Sequence, residues 1–135
     1  MDRSVFLDTA YILALVIEND KHHDLAIRMS KQIKAEKIYL VTTEAVLIEV
    51  AGFLGKVKFR NQCNITVNEI RKNVLVEKII DENLNLSWSM YEKMSDKEWS
   101  MVDCYSFIVM KKYGLKQALT TDKHFEQAGF ERLLK

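Results

Sequence analysis

The chain has 135 residues, of which 48% are apolar, 29% charged and 10% aromatic, with no proline, four glycines and two cysteines. At this length about two-thirds of the unfolded surface can be buried, so a core forms without metal or disulfide staples, and disordered, collagenous and disulfide-scaffold classes are excluded. Twenty Lys plus Arg against nineteen Asp plus Glu leave a net charge of +1, so no whole-molecule basic field advertises nucleic acid or anionic membrane, and any such partner must be recognised locally.

Val5-Phe6-Leu7 is a short apolar run ended by Asp8 and predicts a strand covered on both faces. The run Ala10 to Ile17 is the longest apolar stretch and falls well short of the roughly 20 residues that span a bilayer. It is no signal-peptide core either, because Asp2 and Arg3 precede it and Glu18-Asn19-Asp20 close it without a small-residue cleavage site. No membrane segment and a cytoplasmic location are expected. Leu25, Met29 and Ile33 then mark a helix face, and Ile38-Tyr39-Leu40-Val41 a second strand. Phe59, Cys63, Val67, Ile70 and Val74 mark another helix, Val76 to Ile80 a strand, and Leu84, Trp88 and Tyr91 the buried stripe of a further helix. Gln117 to Thr120 and Phe130 to Leu134 are the last strand candidates, and Gly114 and Gly129 stand where the last two helices should stop. Cys63 and Cys104 lack metal-ligand spacing and are expected to be core thiols. No linker, repeat or low-complexity tract divides the chain, so one α/β domain with a mainly parallel sheet is expected over residues 1–135.

Four acids stand in apolar company. Asp8 and Asp122 close predicted strands, at the carboxyl edge where open parallel sheets bind ligands, although each could simply cap the following helix. Glu49 has Ala45, Val46, Gly52 and Phe53 as helical neighbours, a face on which a carboxylate needs a partner or a metal, whereas Glu44 in the first turn is explained by the helix dipole. Asp103 follows Ser100 by three residues and fits a capping box, a role compatible with facing a crevice. Were all four to converge, each close pair would repel by about 4 kcal/mol at an effective dielectric of 20 and 4 Å. An all-oxygen donor set of this kind selects Mg²⁺ or Mn²⁺, ions suited to phosphodiester hydrolysis.

In this order, Val5-Phe6-Leu7-Asp8-Thr9, Leu47-Ile48-Glu49-Val50, Trp99-Ser100-Met101-Val102-Asp103 and Leu119-Thr120-Thr121-Asp122-Lys123-His124-Phe125 resemble the PIN-domain ribonucleases, most closely the small VapC-type toxins of prokaryotic toxin-antitoxin pairs. The resemblance covers the whole chain. It implies a Rossmann-like three-layer fold with about five strands flanked by helices, metal ligands at Asp8, Glu49, Asp103 and Asp122, and Mg²⁺- or Mn²⁺-dependent RNA cleavage. It also implies a homodimer neutralised by a cognate antitoxin, with the Thr9 and Thr120 hydroxyls supporting a carboxylate or the metal's water. Ala10 stands where many members carry Asn or Ser.

Other residues carry weaker signals. Lys56, Lys58 and Arg60 after the Glu49 helix, and Lys123 beside Asp122, are the local candidates for phosphate contact, though such a cluster is commonly plain surface. Asp96 is expected in a solvated loop, His22, His23 and His124 at the surface, and Trp88 in the core, while Trp99 is left open between core and base stacking. A catalytically silent RNA- or protein-binding module and a housekeeping RNA-processing nuclease are the alternatives. A phosphoacceptor receiver lacks its acidic pair here, and neither G-x-G-x-x-G nor a Walker A loop occurs.

Overall fold

Val5, Phe6 and Leu7 are almost wholly buried, and the strand that they build, β1 (Ser4–Leu7), is the middle of the sheet. The computed structural model describes residues 3–134. After β1 come α1 (Thr9–Val16), α2 (His23–Ala35), β2 (Tyr39–Thr43), α3 (Glu44–Phe53), α4 (Val57–Asn73) and β3 (Leu75–Glu77). They are followed by α5 (Asp81–Lys93), α6 (Met101–Tyr113), β4 (Gln117–Leu119), α7 (His124–Gln127) and β5 (Glu131–Arg132). The five strands form one all-parallel sheet in the order β3-β2-β1-β4-β5. The chain therefore builds outward from β1 to β3 on one side, then returns to the other side of β1 with β4 and β5. The gap between β1 and β4 at their carboxyl ends is the topological switch point, where open parallel sheets leave a crevice.

Helices cover the sheet as short crossovers demand. Helix α1 packs on α2, α3 and α4, α5 lies along α6, and α3 touches α6. Helix α6 is the central helix, with Cys104, Tyr105, Phe107, Val109 and Met110 buried. Its Phe107 ring meets Trp99 and Phe125 edge-on at 5.0 Å each, and Phe125 in turn lies 6.2 Å from Phe6 of β1. This cluster clamps α6 and α7 to the central strand. Both cysteines are buried and free. Among the described residues, no helix is long and apolar enough to cross a membrane.

The expected strand ends and one helix face need correction, and of the strand expected over Phe130 to Leu134 only Glu131–Arg132 forms. The strand expected over Val76 to Ile80 runs instead from Leu75 to Glu77. Beyond it the Tyr105 hydroxyl replaces a neighbouring strand, accepting the Ile80 N–H at 3.1 Å and donating to the Lys78 carbonyl at 3.4 Å. In α5 the buried face carries Asn83 and Ser87, while Trp88 and Tyr91 pair edge-to-face at 5.8 Å on the exposed side. The small polar pair lets α5 approach α6 closely, and the Ser87 hydroxyl is satisfied locally by the Asn83 carbonyl at 2.7 Å.

Gly114 ends α6 in the left-handed conformation, φ +67°, with open space where a Cβ would stand. Only backbone strain then opposes a side chain there. Gly114→Ala is expected to destabilise the fold by about 1–2 kcal/mol, read as a fall of roughly 3–8 °C in Tm, with divalent-ion binding unchanged.

Candidate active site

β1 ends by placing Asp8 over the switch point, with its backbone N–H bonded to the Leu119 carbonyl of β4 at 3.2 Å. Asp8 occupies the N-cap position of α1, yet its side chain caps nothing. Its Oδ2 accepts the Thr120 hydroxyl at 2.7 Å, and the same Thr120 oxygen accepts the Asp122 N–H at 3.0 Å. Thr120 thus ties the acid of β1 to the acid after β4.

Asp103 enters from the first turn of α6. The capping box is formed in full: Asp103 N–H donates to the Ser100 hydroxyl at 3.0 Å, and Ser100 N–H to Asp103 Oδ2 at 3.1 Å. Glu49 comes from α3, half-buried, and lines the same pocket of about 280 Å³ as Asp8, Asp103 and Asp122. Glu44, in the first turn of the same helix and outside this pocket, pairs with Arg71 of α4, and that guanidinium holds its carboxyl below the usual range.

The electrostatics are those of crowded, dehydrated carboxylates. Burial pushes the Asp8 carboxyl up to about 7, against the Thr120 hydrogen bond, with the Asp103 and Asp122 charges adding to the rise. Burial also raises Glu49 and Asp103; Asp122 raises both, and Asp103 raises Glu49 further. The Thr9 Oγ1 is buried without a hydrogen-bond partner at acceptable geometry, although its nearness to Glu49 favours that carboxylate. An orphaned hydroxyl and several strained carboxyls around one pocket fit a bound divalent cation, for which carboxylate and hydroxyl oxygens are suitable donors.

Two neighbours escaped the sequence reasoning. His124 is half-buried at the site and not a free surface residue: its Nδ1 lies 3.0 Å from Asp103 Oδ2 and 3.2 Å from Asp122 Oδ1, and one ligand atom from each of these three side chains falls within 4.8 Å of the others. The available signal was Asp122-Lys123-His124, in which Asp122 Oδ1 accepts the His124 N–H at 2.9 Å and folds the chain back over the acid. Glu98 lines the pocket at its exposed side, whereas Asp96 is outside it, exposed and paired with Lys97 at 3.2 Å. Alternation could have located Glu98, because its neighbour Trp99 is buried and bonds Gln127 through Nε1 at 2.9 Å. That burial removes Trp99 from base stacking. Lys56, Arg60 and Lys123 are exposed and do not line the pocket; Arg60 donates to the Gly55 carbonyl.

The profile of the PIN domain matches residues 5–131. The chain belongs to the PIN-domain family. Its relatives include the 23S rRNA-specific endonuclease VapC20 of Mycobacterium tuberculosis, 30% identical over 129 residues that span 93% of this chain and 95% of the relative. The solved structure of that protein, described as a Sarcin-Ricin loop cleaving toxin, superposes on this PIN domain with a TM-score of 0.85 at 26% identity, covering 97% of this chain and 99% of the other. VapBC2 of Rickettsia felis, solved with a DNA fragment from its promoter, shares the fold alone, at 12% identity and a TM-score of 0.68 over 92% of each chain. FitAcB of Neisseria gonorrhoeae does likewise, at 16% identity and 0.62, covering 97% and 96%.

The pKa of Asp8 makes a signed prediction for the metal-free protein. A carboxyl that holds its proton more tightly folded than unfolded adds nothing below pH 4 and destabilises progressively as pH rises through 7. From 3.8 to about 7, at about 1.4 kcal/mol per pH unit, the penalty is of order 4 kcal/mol. In EDTA, thermal melts should therefore show Tm falling between pH 4 and 8. Asp8→Asn should flatten that fall and exceed the wild type in Tm at pH 8.

Proposed function

We propose that this PIN-domain protein is a divalent-metal-dependent endoribonuclease, with Mg²⁺ or Mn²⁺ held by Asp8, Glu49, Asp103 and Asp122, and that it acts as the toxin of a toxin-antitoxin pair. The observation that carries the reading is the convergence of these acids, from β1, α3, α6 and the turn after β4, around one pocket at the switch point. A silent binding module would gain nothing from such repulsion.

When bound, the ion supplies Lewis-acid activation of the phosphodiester and of water, and charge stabilisation at the leaving oxygen. The remaining work belongs to the chain. Thr120 orients Asp8 and, through the Asp122 N–H, fixes the turn that carries the fourth acid. Ser100 orients Asp103. Thr9, dehydrated and beside Glu49, supplies a hydroxyl for the ion or its water. Outer hydrogen bonds of this kind set ligand geometry. Lys123 follows Asp122 directly and is exposed for phosphate contact, with Lys56 and Arg60 more remote candidates.

The substrate class is structured RNA, supported by the sequence similarity to VapC20 across both chains. An antitoxin partner is supported by exposed Ile48, Phe53 and Val57, which leave apolar surface beside the pocket that Phe53 helps to line. A homodimer would cover exposed Leu86, Trp88 and Tyr91 of α5. A cytoplasmic location follows from the substrate.

The test is cleavage of a labelled RNA hairpin carrying a sarcin-ricin-type loop, in Mg²⁺ or Mn²⁺. EDTA is expected to abolish it, and Asp8→Asn to lower it by more than about 100-fold, beyond the loss expected for an outer hydrogen bond. A folded, metal-binding protein that leaves this and other structured RNAs intact would overturn the nuclease reading. Cleavage of bulk RNA, with no antitoxin that inhibits it, would favour the housekeeping alternative.

A further inference from the structure

His124 stands between two of the proposed ligands and has no task in the scheme above. Its Nδ1 faces Asp103 Oδ2 at 3.0 Å and Asp122 Oδ1 at 3.2 Å. Both oxygens are acceptors, so this nitrogen carries the hydrogen, donating it to Asp103 of α6 while lying close beside the Asp122 carboxylate of the turn after β4. The same Asp103 oxygen also accepts the Ser100 N–H at 3.1 Å, and the same Asp122 oxygen the His124 backbone N–H at 2.9 Å. On each carboxylate, one oxygen is thereby committed to the protein and the other is left for an ion.

The imidazole is also well held. Its side chain is about one-quarter exposed, and the neighbouring Phe125 is buried against Phe6 and Phe107. A donor on a fixed frame sets the distance between two acids that would otherwise repel one another. Asp103 and Asp122 belong to different elements, and His124 connects their side chains, bonding Asp103 through the ring and Asp122 through its backbone N–H, with the ring also 3.2 Å from the Asp122 carboxylate.

We propose that His124 is a positioning residue that, through Nδ1–H, fixes the spacing of Asp103 and Asp122 and so sets the affinity of the site for its divalent ion. The proposal rests on the metal-site reading above, but its test needs no RNA. Calorimetric titration of the full chain with Mn²⁺ compares wild type with His124→Ala, His124→Asn and His124→Gln, with melting curves to verify the fold. An asparagine side chain places an N–H close to the Nδ1 position, whereas glutamine places it nearer Nε2.

His124→Ala is expected to weaken Mn²⁺ binding by about 10- to 100-fold, His124→Asn to recover most of that loss, and His124→Gln to recover little. Cleavage by His124→Ala should return towards the wild-type rate once Mn²⁺ is saturating. Wild-type affinity in His124→Ala, or rescue by Gln as good as by Asn, would overturn the proposal. So would a cleavage defect that persists at saturating Mn²⁺ with affinity unchanged, which would place the ring on the RNA. Tight Mn²⁺ binding that depends on His124, in a chain that cleaves no RNA, would sink the nuclease reading and leave this proposal standing.

Discussion

Asp8 lies at the end of the central strand with its carboxyl out of water, held by one hydroxyl from the adjacent strand and opposed by two further acids. A charge in that position is expensive unless something positive accompanies it. The surrounding architecture answers this constraint. Parallel strands bring β1 and β4 side by side, Thr120 supplies the donor between them, and α3 and α6 each turn a carboxylate towards the same pocket. The arrangement concentrates negative potential where a hard cation would relieve it, so local instability and chemical competence share one origin.

The apolar side of the molecule makes the polar side possible. Phe107, Phe125 and Phe6 form a continuous ring contact behind the site, and Trp99 and Phe130 extend it from Phe107. These rings clamp the segments that carry Asp103, Asp122 and His124, so the acids cannot separate to lower their repulsion without opening the core. Packing contacts of this kind are worth about 0.5–1.5 kcal/mol per aromatic pair beyond area burial, and several act together here.

How far the sequence revealed this depends on the range of the interaction. Strand runs, helix stops at Gly114 and Gly129 and the Ser100–Asp103 box are local, and each was legible from a few neighbouring residues. Helix α5 was not: its Leu84-Trp88-Tyr91 stripe looks buried, but the close approach to α6 selects Asn83 and Ser87 for the inner face. Glu44 and Glu49 lie on one helix and their helical neighbours already set them apart, but the pairing of Glu44 with Arg71, 27 residues on, is made only by the fold. His124 was hidden for a related reason, since a polar residue two places after an acid resembles any solvated turn until the other acid, 21 residues away in sequence, is seen beside it.

By itself the sequence determined a parallel α/β fold, through apolar runs too short for anything but buried strands and through helix-period stripes between them. It also determined which acids stand at strand ends or in apolar helical company, and so which could be held out of water. Only the tertiary structure decided that they meet, which of their oxygens are already occupied, and that a histidine joins two of them. The reason is physical: periodicity reports how a residue relates to its own element, whereas a metal-type site is made by separations between elements, and those are set by how the sheet is ordered and how the core behind it packs.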